Sequence, residues 1–429
     1  MTNSSQHRSW ISSLVYRPAT AVLALAITFA LATAMTPSAQ AQTFQVLHNF
    51  TGGQDGAAPL DGLTIDRNGN LYGTASAGGH QAYGCSNSYG DTGCGAVFEL
   101  ARSGTGWILR PLYDFQGGDD SGNPGYGVVL GPDGALYGVI SGGCSNYYVC
   151  GKVFRLAPLP TRCASFTCPW QETVLHQFTG TPDGSLPLSR LIFDPAGNMY
   201  GVTFYGGLYN WGAAYELSPS HGGWTENVIY SFNSIQGLGT ALPQGSLALD
   251  GAGNLYGAAN CNDTLGCFYG AVWQLQPSQQ GWTLNSLYQF NGLDGYQPIG
   301  VIRDPSGNLY GPTFGAAGND SGTIYELSPS NGGWNYSLVY DFGFEDSASG
   351  LVMDSFGNLY GGNADYTGTY VFMLTRSGNS WIFSKVHTFS GPDGLGPAGN
   401  LVFDSNGNLY GTTVKGGSYG YGVVWEITP

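Results

Sequence analysis

Apolar and polar positions alternate along this chain in short runs, and the runs come in groups of four. The group from Leu191 to Phe232 shows the pattern: Leu191-Ile192-Phe193, then Asn198 to Thr203, Gly212 to Leu217 and Trp224 to Phe232, parted by glycine-rich polar segments. Alternation over so few residues predicts half-buried β-strands and leaves no room for helix. Between the first two pieces lies Asp-x-x-Gly, which predicts a tight turn in which the Asp side chain caps the backbone and the Gly takes positive φ.

The same group recurs along the chain. The string Asp-x-x-Gly-Asn-Leu-Tyr-Gly runs Asp66 to Gly73, Asp194 to Gly201 (with Met199 for Leu), Asp250 to Gly257, Asp304 to Gly311, Asp354 to Gly361 and Asp404 to Gly411, with a degenerate copy from Gly131 to Gly138. A third strand follows each copy, as in Gly95 to Leu100 or Gly422 to Ile427, and then Trp-x5-[Tyr/His]-x-Phe, as in Trp107 to Phe115 or Trp381 to Phe389. The final glycines lie between 65 and 50 residues apart, a period that means a solenoid or a propeller. Four strands in each of seven units predict an all-β protein, a seven-bladed β-propeller of four-stranded antiparallel blades, because a radial arrangement protects so many sheet edges. The segment Phe44 to Phe50 reads as a lone fourth-type strand, while the chain finishes on first, second and third strands at Leu401 to Phe403, Asn408 to Thr413 and Gly422 to Ile427. The N-terminal strand is therefore expected to complete the last blade and close a ring over residues 42–429.

The repeats Gly62-Leu63-x-x-Asp66-x-x-Gly69-Asn70-Leu71-Tyr72-Gly73-Thr74 through Gly95-x-Val97-Phe98-Glu99-Leu100 resemble the extracellular tandem repeat called GloVer, found in exported bacterial proteins. The resemblance covers essentially all of the chain after residue 41. It implies an exported, propeller-like repeat protein, and it implies no established reaction. This copy shows no obvious C-terminal anchor, which the family's usual layout carries. A weaker similarity extends to streptogramin-lyase-like and sensor propellers.

Ahead of the repeats, Arg8 and Arg17 precede an apolar run from Ala21 to Met35 that leads to Ala39-Gln40-Ala41. This predicts a signal peptide over residues 1–41, cleaved near Ala41, and a secreted or periplasmic protein. Removing it takes away two basic residues and no acidic ones, leaving 11 Lys+Arg against 28 Asp+Glu, a net charge of −17. Such a surface repels phosphate backbones and anionic lipid, so no nucleic acid and no membrane insertion is expected. Eight cysteines fall into the close pairs Cys85–Cys94, Cys144–Cys150, Cys163–Cys168 and Cys261–Cys267. In an exported chain these read as disulfides between sequence neighbours that stiffen single loops. They lack the Cys-x-x-Cys and His spacings of zinc sites, and no metal or other cofactor is expected.

The recurrent residues read as structure. Asp404-Ser405-Asn406-Gly407-Asn408 resembles a calcium loop, yet no glutamate follows at the position such a loop needs, and recurrence in six blades favours a turn cap. His48, His176 and His387 occupy the slot held elsewhere by Tyr113, Tyr230, Tyr288 and Tyr340, so they read as structural and not as catalytic bases. Function is expected where the repeats differ, in loops on one face. The connections from fourth to first strands carry Asp55, Asp119, Asp120, Asp183, Asp294, Asp346 and Asp393. Those from second to third strands carry Tyr83, Tyr89, Tyr147, Tyr205, Tyr209, Trp211, Tyr269, Tyr419 and Tyr421. Carboxylates accept hydroxyl hydrogen bonds and rings stack on sugars, so this face predicts a non-catalytic module that binds an extracellular carbohydrate or surface polymer. The alternatives are a polysaccharide lyase or hydrolase that uses two of these carboxylates, and a protein-docking scaffold. A monomer is expected.

Overall fold

The computed structural model describes residues 42–82, 85–104, 106–118, 122–141, 151–159, 170–233, 240–260, 269–315, 321–343, 346–363 and 369–429. The expected signal segment, 1–41, lies outside them. The strands form seven antiparallel sheets, the blades of a seven-bladed β-propeller. In the third blade Ile192–Phe193, Met199–Tyr205, Ala213–Ser220 and Gly223–Ser231 pair in that order, and the short strand Ser185–Pro187 pairs with the far end of Met199–Tyr205. The ring closes as the sequence predicts: Thr43–Asn49 pairs antiparallel with Val423–Thr428, from Thr43 opposite Thr428 to Asn49 opposite Val423.

What holds the blades together is a set of ring contacts repeated at every junction. The Phe that ends each fourth strand packs edge-on or tilted against the third-strand ring of the next blade: Phe50 on Phe98, Phe115 on Phe154, Phe178 on Tyr215, Phe232 on Trp273, Phe290 on Tyr325, Phe342 on Phe372 and Phe389 on Trp425, with centroids 5.0–6.0 Å apart. That third-strand ring also explains the last glycine of the motif. A Cβ on Gly257 would lie 2.3 Å from Trp273, and one on Gly411 would lie 2.3 Å from Trp425, so only glycine lets the ring lie flat across the second strand. Fourth-strand tryptophans pack on the motif tyrosine of the preceding blade, as Trp224 does on Tyr137 and Trp381 on Tyr310.

Each fourth strand also contains a β-bulge. Its register against the third strand slips by one residue, leaving Leu47, Leu112, Leu175, Ile229, Leu287, Val339 or Val386 unpaired in the ladder. All seven are aliphatic and join the clusters between blades. The bulge turns the outermost strand and lets one extra apolar side chain into the junction.

The turn between first and second strands behaves as a cap. Asp404 Oδ1 accepts the backbone N–H of Asn406 and Asn408 (2.8 and 2.9 Å), and Oδ2 accepts from Asn408 Nδ2 (2.8 Å) and Tyr410 Oη (3.1 Å). Burial alone would raise the Asp404 carboxyl, and these donors outweigh it and hold it below the ordinary range.

Candidate functional site

The loop carboxylates picked out from sequence have partners of their own. His48 Nε2 lies 3.0 Å from Asp55 Oδ2, His176 Nε2 lies 3.0 Å from Asp183 Oδ2, and His387 Nε2 lies 2.9 Å from Asp393 Oδ2. Tyr288 donates to Asp294 in the same way. Each of these carboxylates also accepts a backbone N–H from the start of its own loop, at Thr51, Thr179, Asn291 and Ser390. The unit is a latch between the end of a fourth strand and the next loop, and it explains why His and Tyr interchange in that slot. Burial would raise the Asp55 carboxyl, but the hydrogen bonds from His48 and Thr51 hold it below the usual carboxylate range. The picture of these four as open acceptors therefore changes: their oxygens are engaged in building the loop.

The predicted rings are spread around the rim. Tyr209, Tyr269 and Tyr419 are exposed, whereas Tyr205 and Trp211 are half-buried against Ala241 and Leu242. None of these five reaches the central axis. Asp119, Tyr83 and Tyr147 lie outside the described residues. So do the pairs Cys144–Cys150, Cys163–Cys168 and Cys261–Cys267. Cys85 and Cys94 form the expected disulfide.

On the axis, the loop face opens into a funnel of about 880 Å³. Its wall comes from residues at or just before the innermost strands, a position that differs from blade to blade, among them Asp61, Tyr126, Arg190, Ser246, Ser349 and Asn400. One side is raised by Ser86, Asn87, Ser88 and Tyr89, which belong to the loop that the Cys85–Cys94 disulfide staples. That loop is anchored to the adjacent seventh blade by Lys415 Nζ, 2.6 and 2.7 Å from the two carboxylate oxygens of Asp91. Inside, Asn87 Nδ2 donates to Ser76 Oγ at 3.1 Å.

Deep in the funnel, bonds join the blades to one another. Arg190 reaches from the third blade to Leu63 O and Val128 O, both 3.0 Å away, and to Thr64 Oγ1. The Ser246 hydroxyl donates to Asn400 Oδ1 at 3.2 Å, joining the fourth and seventh blades. Asp61 Oδ1 accepts the Asn400 backbone N–H at 3.3 Å. Asp61 is only 7 % exposed, and its Oδ2 has no hydrogen-bond partner among the described residues. A buried carboxylate oxygen without a donor is costly, and the Asp61 carboxyl borders the funnel. Burial and the neighbouring Asp61 push the Tyr126 phenol well above its ordinary range, which keeps its hydroxyl a donor. Among the described residues, Asp61 and Arg190 are the only charged side chains of the funnel, and its other polar groups are hydroxyls and amides.

Of these residues only Tyr89 stood out in the sequence. The signal for the rest was the pair of residues before each first-strand apolar run, Asp61-Gly62, Tyr126-Gly127, Ser189-Arg190, Gly245-Ser246, Ile299-Gly300, Ser349-Gly350 and Gly399-Asn400, which vary while their neighbours repeat.

Fold and funnel together define a closed seven-bladed propeller with an asymmetric polar site on its axis. The chain belongs to the Gloeobacter/Verrucomicrobia repeat family, whose pattern matches residues 34–267 and again 243–429. This is the family that the repeats resemble. No curated protein matches the chain. Among solved structures it is similar to a Lactobacillus plantarum protein (14 % identity, TM-score 0.49, covering 83 % of this chain and 99 % of that one). It is also similar to a Dyadobacter fermentans protein of unknown function (12 %, 0.47, 90 % and 98 %). A third is the PQQ-bound aldose sugar dehydrogenase of Streptomyces coelicolor (15 %, 0.44, 90 % and 98 %). At such identities the likeness concerns the fold alone.

Proposed function

We propose that the protein is an exported, non-catalytic propeller that binds carbohydrate in the axial funnel of its loop face. The supporting observation is the lining: hydroxyl and amide groups, the rings of Tyr89 and Tyr126, and one buried carboxylate oxygen without a donor. A sugar offers hydroxyls on nearly every carbon and an apolar face for a ring, which is the complement of this wall. Glycoside hydrolysis needs two carboxyl groups flanking the bond, whereas the described lining carries one, which favours binding over catalysis. The Cys85–Cys94 disulfide fits an oxidising compartment, in line with export.

Retention on glycan arrays and insoluble cell-wall polymers tests the reading, with Asp61→Asn and Tyr89→Ala alongside the wild type. A hydrogen bond to a charged acceptor is worth about 1.5–3 kcal/mol, so Asp61→Asn should weaken binding by about tenfold or more. If no glycan is retained, or if Asp61→Asn binds like the wild type, the proposal fails. Release of reducing ends from a bound polymer would refute its non-catalytic part.

A further inference from the structure

We propose that the glycan held in the funnel carries an acidic group, and that Arg190 is the residue that receives it. The proposal rests on the carbohydrate reading above and adds to it the chemical class of the sugar. Arg190 stands in a slot that the ring itself leaves empty. The residue immediately before the first-strand apolar run is glycine in four blades, at Gly62, Gly127, Gly300 and Gly350, and Ser246 or Asn400 in two others. Neighbouring blades approach closely at two of these glycines: a Cβ on Gly62 would lie 1.4 Å from Asn400 O, and one on Gly300 would lie 2.2 Å from Ser246 N. Ring closure therefore needs no long side chain at this level. A cation here, in one blade alone, is a departure that the repeat does not explain.

Its bonds hold the guanidinium in place without neutralising it. Nη2 donates to Leu63 O of the first blade and Val128 O of the second, each 3.0 Å away, and to Thr64 Oγ1. These acceptors are uncharged, and among the described residues Arg190 has no ion-pair partner, while Nε and Nη1 have no acceptor. By contrast Arg102, Arg110, Lys152, Arg155, Arg376 and Lys415 each face a carboxylate. Arg190 is half-buried and lines both the funnel and a second axial cavity of about 410 Å³, so a cation without a counter-ion faces enclosed space. There the effective dielectric is below that of bulk water, which strengthens the pull on an anion. Asn400 lines the same two cavities, and since its Oδ1 takes the Ser246 hydroxyl, its Nδ2 adds an uncharged donor. A neutral sugar leaves the charge of Arg190 unmatched. A carboxylate or a sulfate ester on the ring matches it with a charge-assisted hydrogen bond, while the sugar hydroxyls meet the hydroxyls and amides of the wall. The attraction is local, because the chain after residue 41 carries a net charge of −17 and repels a dense polyanion from outside.

Calorimetric titration of the whole mature protein with short oligomers of glucuronate and galacturonate, and with the same oligomers after carboxyl reduction to neutral sugars, tests the proposal. Oligomers of a sulfated galactan and their desulfated forms make a further pair and tell sulfate ester from carboxylate. The acidic member of at least one pair should bind about tenfold or more tighter than its neutral counterpart. Arg190→Gln should bring the two members of that pair to within about twofold of each other, whereas Arg190→Lys, which keeps the charge, should retain the preference. A merely structural Arg190 would lower both affinities alike and leave their ratio unchanged in Arg190→Gln, which overturns the proposal. Neutral members that bind the wild type as tightly as acidic ones in every pair also overturn it, whether or not the variants fold, and leave the carbohydrate reading intact. Absence of binding to every oligomer, acidic or neutral, in this titration and on the glycan arrays removes both.

Discussion

Glu226 allows a quantitative test of the blade junctions. It sits on the fourth strand Gly223–Ser231 with Oε1 buried and without a hydrogen-bond partner among the described residues. The charge that faces it is Asp183, itself held by His176 and Thr179 in the latch of the preceding blade, and the phenol of Tyr215 lies within its influence. Burial first, and then the Asp183 carboxylate, push Glu226 from 4.5 up to about 7. In the unfolded chain it returns to the lower value, so between these two pH values the folded protein binds more protons than the unfolded one. Stability contributed at this site is therefore fully present at about pH 4.5, falls as pH rises to about 7, and is level beyond. A shift of about 2.5 units corresponds at most to ~3.4 kcal/mol at 1.36 kcal/mol per unit, and partial exposure of the side chain reduces this to ~1–2 kcal/mol. Glu226→Gln removes the titration while keeping size and shape. Urea unfolding of wild type and variant at about pH 5 and about pH 8 should show near-equal stability at the lower pH and a variant more stable by ~1–2 kcal/mol at the higher. The other titrating groups are common to both proteins and cancel in the difference. Parallel stabilities across that range would show that Glu226 does not carry an elevated pKa and would refute the reasoning.

Two further outcomes follow from the geometry. Tyr410 Oη lies 2.7 Å from the buried Glu426, 3.1 Å from Asp404 and 2.8 Å from Arg102 Nη2, so Tyr410→Phe should cost ~1–3 kcal/mol in urea unfolding. Tyr360, opposite Met373 where four other blades have Glu, reaches only Asp354 at 3.3 Å, and Tyr360→Phe should cost under ~1 kcal/mol; equal costs would contradict the three-way contact at Tyr410. Replacing Cys85 and Cys94 with Ser should speed amide exchange in residues 86–93 and weaken glycan retention while exchange in Leu71–Ala75 and Ala96–Ser103 stays slow; unchanged exchange in the loop would deny the disulfide its role as a staple.

The architecture was legible because the same strand signals occur seven times over, and because a lone fourth-type strand at Phe44 to Phe50 matches a missing one after Ile427. The bulge was not legible, since Ile229 and its counterparts sit inside the unspecified stretch of Trp-x5-[Tyr/His]-x-Phe and look like any other apolar strand residue. The latches were half legible. The slot shared by His48, His176, His387 and Tyr288 pointed to structure, yet its partner was read as an open ligand acceptor. The clue was an offset of six or seven residues: Asp55 and Asp183 follow their histidines by seven, and Asp294 and Asp393 follow Tyr288 and His387 by six. The funnel was hidden for a different reason. Arg190 meets Leu63, and Ser246 meets Asn400, only after the ring has closed, and no local pattern reports a contact across 127 or 154 residues.

Ring closure also explains why the functional asymmetry lies where it does. Every blade must meet its neighbours through the same faces, so the Phe-on-ring contact, the motif glycine and the capped turn are fixed by the need to repeat seven times. A change at any of them disturbs one junction, and one weak junction opens the ring. The residues just before the first strands are less bound by that constraint, because they line the axial funnel and lie outside the Phe-on-ring contacts of the junctions. There the blades converge, and a substitution such as Asp, Tyr, Arg or Asn alters a shared site without changing the repeated ring contacts. The uniform repeat builds the ring, and the few residues in which the blades depart from one another at its centre determine what the ring can hold.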